Sequence, residues 1–255
     1  MHLSLDRSLC SQYKSKSQIA RVVTEAWARD NMYCPACPSS SLDRLKANTK
    51  VLDFQCPRCE EKFQLKAKDG SIGSVVANSA YEPKIQAIIT HANPSYAFLQ
   101  YDPKPMLVAS LFVVPRFFFS PDIIQKRAPL RPTARRHGWV GSNILLGNLP
   151  FDARIYVVRD GCVTSERDVR NAWSRFVFMD KVKVASRGWL SDVLLCVREL
   201  GRHEFALADV YAFADRLAKM HPDNRHIRDK IRQQLQILDK NGIIRRIEPG
   251  RYRVL

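Results

Sequence analysis

Residues 53–70 read DFQCPRCEEKFQLKAKDG. A Cys-Pro-Arg-Cys knuckle sits between two strand-like pieces, VLDF (51–54) and KFQLKAK (62–68), and the second alternates apolar and polar residues. Asp69 and Gly70 end that strand. Side chains alternate along a strand, so Gln64 and Lys66 share one face, and Asp53 on the partner strand can point to the same place. The segment therefore predicts a hairpin that gathers a carboxylate, an amide and an amine beside a pair of cysteines.

Upstream, Cys34-Pro-Ala-Cys37 supplies a second CxxC, with 18 residues between the pairs, the spacing of a four-cysteine zinc ribbon. Two residues between cysteines let a tight knuckle aim both sulfurs at one ion, and the second knuckle completes a tetrahedron. Four protein thiolates close the coordination sphere, so zinc on Cys34, Cys37, Cys56 and Cys59 is expected to be structural rather than catalytic. Cys10, Cys162 and Cys196 remain as ordinary free thiols.

Outward from this centre, SQIARVVTEAWAR (17–29) places Ile19, Val22, Val23 and Trp27 on one helical stripe, with Ser17 as N-cap. After the hairpin, 79–92 suits a helix, and YAFLQY (96–101) and VASLFVV (108–114) suit strands. A further helix is expected from Ser120-Pro121. Residues 123–151 then hold five Lys or Arg and no acidic residue, which suits a basic loop. RIYVV (154–158) reads as a strand and 166–178 as a helix, and the polar, basic KVKVASRG (181–188) suits a linker. Three helices near 189–200, 207–220 and 226–241, then a hairpin turning at Pro249-Gly250, describe a winged helix.

The 41 Lys and Arg against 25 Asp and Glu leave a net charge of +16, an excess that favours polyanions such as nucleic acid or acidic membrane surfaces. No apolar run approaches the roughly 18 residues that span a bilayer, and Asp6, Arg7, Gln12 and Lys14 break up any signal-peptide core. A bacterial cytoplasmic protein with no membrane partner is the expectation, and CxxC spacing in a reducing compartment fits thiolate ligation rather than disulfides.

Phosphodiester hydrolysis needs Mg2+ held by hard oxygens, an activated water and positive charge for the transition state. Asp53, Gln64 and Lys66 supply those types, but many exposed strands carry such residues, so alone they leave the choice open. The motifs YCPAC (33–37), DFQC (53–56), FQLK (63–66), PTARRHGWVGSNI (132–144) and IRQQLQIL (231–238) resemble, over essentially the whole chain, the DpnI-like family of methyl-directed restriction endonucleases, also called the Dam-replacing family. The resemblance implies an α/β fold: a PD-(D/E)XK restriction-endonuclease-like core with an inserted zinc site over 1–182, plus a winged-helix DNA-binding domain over 183–255. It implies Mg2+-dependent cleavage of double-stranded DNA at GATC sites containing N6-methyladenine. By position, Asp53 binds the magnesium, Gln64 takes the place of the usual acidic ligand, the main-chain carbonyl of Leu65 is a further ligand, and Lys66 orients or activates the attacking water. Gln64 removes one negative charge from the site, so metal affinity should fall unless another carboxylate contributes, and Glu25, Glu60 or Glu61 could compensate.

Two stretches suit DNA. KRAPLRPTARRHGW (126–139) joins Lys126, Arg127, Arg131, Arg135 and Arg136 to Trp139, and the resemblance makes it the catalytic domain's DNA-reading loop. In the third C-terminal helix Ile227, Ile231, Leu235 and Leu238 form the apolar stripe, while Arg225, Arg228, Arg232 and Gln236 recur on a neighbouring face suited to the major groove. Arg245, Arg246, Arg251 and Arg253 of the wing point toward phosphates, and 224–253 holds nine basic against three acidic residues. One buried methyl group is worth about 1 kcal/mol or less, so two domains reading the same mark would multiply a small discrimination. The rival readings are a non-catalytic zinc-ribbon and winged-helix regulator and an RNA-processing protein; the oligomeric state, monomer included, stays open.

Overall fold

The computed structural model describes residues 1–45 and 52–255, so Val51 of the expected strand VLDF lies outside the described residues. In chain order these residues form α1 (Lys16–Asn31), β1 (Asp43–Arg44), β2 (Phe54–Gln55), β3 (Lys62–Asp69), β4 (Val75–Ala80), α2 (Tyr81–Ile89), β5 (Ser95–Asp102), β6 (Leu107–Val114), β7 (Ile124–Lys126) and β8 (Gly141–Leu145). There follow β9 (Ile155–Arg159), β10 (Cys162–Val163), α3 (Glu166–Ser174), α4 (Val184–Glu199), β11 (Glu204–Ala206), α5 (Leu207–Tyr211), α6 (Ala214–Met220), α7 (Ile227–Lys240), β12 (Ile244–Glu248) and β13 (Arg251–Val254). They pack as two compact units, each built from three stretches of chain.

The first unit comprises Met1–Gly73, Ala92–Arg116 and Asp152–Phe176. Its seven-stranded sheet runs β1-β2-β3-β5-β6-β9-β10, antiparallel except where β3 and β5 run parallel with Gln64 opposite Tyr96 and Lys66 opposite Phe98. The aromatic and β-branched runs that predict β5 and β6 are the centre of this sheet, and Ser95 through Leu99 are all buried, as a strand covered on both faces requires. Helix α1 packs against β3 and α3 against β9. Val23 and Trp27 of the expected stripe are buried, but α1 opens after Ser15 rather than Ser17, two residues nearer the start of the chain. Ser165 Oγ caps α3 by accepting from the Asp168 amide at 3.1 Å, and Trp173 of α3 meets Phe63 of β3 with ring centroids 6.4 Å apart. Phe54, Phe63 and Phe98 are fully buried, and each such side chain contributes about 1.5–3 kcal/mol. They hold in place the strands that carry the polar cluster.

The second unit comprises Ser74–His91, Phe117–Phe151 and Val177–Leu255. It holds a three-stranded sheet β4-β8-β7 and a second one β11-β13-β12. The helix expected over 79–92 is shorter, because Val75–Ala80 pairs with β8 as β4 before α2 begins. The helix expected at Ser120-Pro121 is a single 3-10 turn over Pro121–Ile123: the chain leaves it at Ile124 to pair with Ile144 of β8. The basic segment is therefore the tip of a β7–β8 hairpin, closed by the Arg127 amide on the Gly141 carbonyl at 3.0 Å and Leu130 on Trp139 at 3.0 Å.

Residues 181–188, expected as a polar linker, run directly into α4 at Val184, and Arg187 is fully buried. Its guanidinium donates to the Val182 carbonyl at 3.0 Å, the Asp180 carbonyl at 2.7 Å and His91 Nδ1 at 2.8 Å. These bonds offset the cost of removing the charge from water, a cost that composition alone does not reveal. The helix expected over 207–220 breaks into α5 and α6 at Phe213, whose φ of −89° and ψ of 5° leave the helical region. The remaining helix and hairpin follow expectation: Ile231, Leu235 and Leu238 of α7 are buried, and Gly250 takes the wing's turn with a φ of +74°. Strand β11 adds a third strand to the wing, pairing Phe205 with Tyr252.

Candidate active site and zinc knuckle

Strands β2 and β3 pair antiparallel with Phe54 opposite Phe63, and beyond this pair the Asp53 amide donates to the Phe63 carbonyl at 3.0 Å. The next main-chain donor, Leu65 N–H, is taken by the Asp53 carboxylate itself, Oδ2 at 2.8 Å. A side chain thus replaces a main-chain acceptor, which fixes the carboxylate against the stretch of β3 that carries Gln64 and Lys66. The three residues picked out from the sequence are accordingly brought to one place.

Burial raises the Asp53 carboxyl above its ordinary range, opposed by the Leu65 amide and by Lys66, Arg44 and Arg21. Burial lowers the Lys66 amine below its ordinary range, and the Asp53 charge opposes it. The buried Oε1 of Gln64 has no hydrogen-bond partner among the described residues. Such an oxygen costs on the order of 1–3 kcal/mol unless something else meets it. A half-buried carboxylate with spare lone pairs, held on the strand that carries an orphaned amide oxygen, is a donor set that fits a hard divalent cation.

Of the carboxylates considered as compensation, Glu61 accepts from Ser95 Oγ at 2.6 Å and from Arg116 Nε at 3.3 Å, and Glu60 is exposed at a turn with φ +61°. Glu25 on α1 pairs with Arg44 at 2.5 Å, and the Arg44 charge in turn favours the ionised form of Asp53. Arg21 and Arg44 were not singled out by the sequence. Arg21 stands one helical turn before Glu25 on α1, a spacing that offered a signal.

Because burial destabilises charged Asp53, its folded pKa lies above its unfolded one. Stability without metal is then greatest below the unfolded value and falls as pH rises through the raised folded value. Asp53→Asn, which keeps an oxygen for the Leu65 amide, is expected to raise the melting temperature of metal-free protein by about 2–4 °C at pH 7, on the order of 1 kcal/mol. Calorimetry in the absence of divalent ions checks this, and an unchanged or lower melting temperature would show that Asp53 is not strained by burial.

The sulfurs of Cys34, Cys37, Cys56 and Cys59 lie within 4.8 Å of one another, with Cys34–Cys59 at 3.6 Å and Cys37–Cys56 at 3.5 Å. Zn–S bonds of about 2.3 Å in a tetrahedron put sulfurs about 3.8 Å apart, so the cluster fits structural zinc. The amides of Arg58 and Cys59 point at Cys56 Sγ at 3.4 and 3.5 Å, the N–H to sulfur contacts of a knuckle. Burial pushes the Cys34 thiol upward. At Cys56 burial also pushes upward, but those amides together with the Cys37 and Cys59 thiols bring it down to about 6. The other three cysteines, Cys10, Cys162 and Cys196, stand apart as free thiols.

In the second unit, Arg127, Arg131, Arg135 and Arg136 are exposed at the hairpin tip, while Trp139 is half-buried and folds back over Gly141 with Arg136 stacked 5.0 Å from its ring. A Cβ on Gly141 would lie 2.7 Å from the Trp139 ring, so only glycine lets the indole seat there. Gly141→Ala is expected to unseat the indole and cost about 1–3 kcal/mol of local stability. Amide exchange across Arg127 and Trp139 measures it, and unchanged protection there would show that the ring does not depend on the glycine.

Arg225, Arg228, Arg232, Gln236 and Arg251 are all exposed. Tyr211 of α5, which the sequence did not single out, orders two of them. Arg228 and Arg232 sit 5.3 and 5.8 Å over its ring, and Arg232 Nε donates to its hydroxyl. Among the wing arginines, Arg253 is held by Glu204 at 2.7 Å, whereas Arg245 and Arg251 are exposed. Among the described residues no helix is long and apolar enough to cross a membrane.

Comparison with known families assigns both parts of the chain. The sequence model of the Dam-replacing family matches residues 1–182, and that of the Dam-replacing HTH domain matches residues 185–254.

Proposed function

The chain belongs to the DpnI-like Dam-replacing family, restriction enzymes with a helix-turn-helix DNA-binding domain, and on that premise we propose that it cleaves double-stranded DNA at GATC sites containing N6-methyladenine by Mg2+-dependent hydrolysis. Residues 1–182 act as a PD-(D/E)XK catalytic domain and residues 183–255 as the winged-helix reader. The observation that carries the reading is the pairing of the Asp53 carboxylate with β3 beside the orphaned Oε1 of Gln64 and the amine of Lys66.

Asp53, Gln64 Oε1 and the Leu65 carbonyl would hold the magnesium ion, which when bound supplies Lewis acidity at the scissile phosphate. Lys66 orients the attacking water and offsets negative charge that builds on the phosphate. Arg44, held by Glu25, lends positive potential to the same place. Trp139 and the arginines at the hairpin tip, with Arg225, Arg228, Arg232, Gln236 and Arg251, grip the duplex. Arginines there neutralise phosphates, so binding weakens with salt.

Gln64 brings one charge fewer than an acidic ligand, so Gln64→Glu is expected to lower the Mg2+ concentration for half-maximal cleavage by about tenfold, equivalent to about 1.4 kcal/mol. A Mg2+ titration of cleavage rate reads this, and an unchanged midpoint would remove Gln64 from the metal site. The reading as a whole is tested by incubating the protein with adenine-methylated and unmethylated plasmid, with Mg2+ or EDTA. Cutting of methylated plasmid with Mg2+ alone is expected. Cutting of both plasmids would refute methyl dependence, and binding without cutting would favour a non-catalytic zinc-ribbon regulator.

A further inference from the structure

Arg170, in the middle of α3, reaches the first cysteine knuckle from 133 residues away in sequence. Its Nε lies 2.9 Å from the Cys37 carbonyl and 3.3 Å from the Cys34 carbonyl, and one terminal nitrogen lies 3.3 Å from the Ser39 carbonyl. The other terminal nitrogen pairs with Glu166 one turn back on α3 at 2.8 Å, and the guanidinium lies 5.1 Å from the centre of the Tyr33 ring. Ser39 is also the residue whose carbonyl accepts from the Cys34 amide at 3.1 Å, closing the knuckle. A single planar cation therefore meets the main chain of two cysteines and of the residue that closes their loop.

We infer that Arg170 is a positioning residue for the zinc, holding Cys34 and Cys37 in ligating geometry and passing that order to the strand that bears Gln64 and Lys66. The inference rests on the reading of the four cysteines as a zinc site. Without the guanidinium, three carbonyls of a short irregular loop lose their common donor. Four thiolates around one dication also carry net negative charge, which a neighbouring cation stabilises. The fork of Arg suits several acceptors at once, and the point charge of Lys does not. Three residues further along the same helix face, Trp173 packs on Phe63, the neighbour of Gln64 in β3. Helix α3 is thus a brace with the knuckle at Arg170 and the polar strand at Trp173.

The test uses the full-length protein with Arg170→Ala, Arg170→Lys and Glu166→Gln. Bound zinc is measured by elemental analysis, its transfer to a chromophoric chelator is timed, and the absorption bands of the Co2+-substituted form are recorded. Zinc release is expected to be about 10–100-fold faster in Arg170→Ala. A smaller change in the same direction is expected in Arg170→Lys and Glu166→Gln, with shifted cobalt bands in Arg170→Ala. Zinc-bearing wild type with release within twofold of it in folded Arg170→Ala overturns the role of Arg170 alone. If Arg170→Ala does not fold, Arg170→Lys decides by the same criterion. Wild-type protein without zinc would sink the metal site, and the inference with it.

Discussion

Lys66→Ala is expected to slow cleavage of adenine-methylated DNA by about 10³-fold while leaving the fold and DNA affinity in place. The amine sits on β3 in a cluster where burial works against its charge and Asp53 works for it. An alanine there removes the only cation contributed by the candidate triad and leaves Asp53 to bear its burial with less opposing charge. The Asp53 carboxyl should then hold its proton to still higher pH. Two readouts follow. Single-turnover cleavage at fixed Mg2+ falls by the stated factor, and what remains rises with pH later than in the wild type, because the metal-binding carboxylate forms later. For the wild type the sign is set by the same groups: rate climbs as the raised Asp53 titrates and falls as the lowered Lys66 loses the proton whose charge it brings to the phosphate. Fluorescence anisotropy on a methylated duplex separates binding from chemistry. A folded Lys66→Ala protein that cuts within tenfold of wild type would exclude Lys66 from the reaction.

The features that were legible in the sequence are those set by short-range spacing. Two CxxC pairs can close a tetrahedron only one way, and a strand's alternation puts Gln64 and Lys66 on the same face whatever surrounds them. The four sulfurs do converge, and Asp53 does meet β3, through its carboxylate rather than by simply facing the strand. Features fixed by distant partners were not legible. The helical pattern of 207–220 gives no sign of the break at Phe213. A basic, proline-bearing segment conceals the hairpin of β7 and β8, since its pairing depends on Ile144. KVKVASRG reads as linker because its composition is polar, yet Arg187 is buried there with a guanidinium nitrogen on His91 Nδ1, a partner that only the folded chain brings near. Arg170 and Tyr211 belong to the same class: each is an ordinary residue in its own helix and gains its role from a loop or helix elsewhere in the chain.

Stripping zinc is expected to affect stability more than any side chain in the reaction. Structural zinc in small four-ligand sites carries an apparent binding free energy of about 10–16 kcal/mol at neutral pH, comparable to the whole stability of a domain, about 5–15 kcal/mol. If only about 5 kcal/mol of it reaches the first unit, the melting temperature falls by roughly 10–20 °C. Cys56→Ala or exhaustive chelation should produce that fall in calorimetry, and the loss should shrink as pH drops, because protons compete with zinc for the thiolates and the metal then contributes less. Chelation also removes magnesium, and the order of recovery tells the two metals apart. Brief EDTA treatment is expected to stop cutting by taking the exchangeable ion, and Mg2+ alone is expected to restore it. Once zinc has gone, the knuckle between β2 and β3 loses its closure, Asp53 no longer has a fixed strand opposite, and Mg2+ alone should restore nothing until zinc is returned. Full recovery of cutting in zinc-free protein on Mg2+ alone would mean that the hairpin holds Asp53, Gln64 and Lys66 together without the metal, and that the four cysteines do not support the site they adjoin.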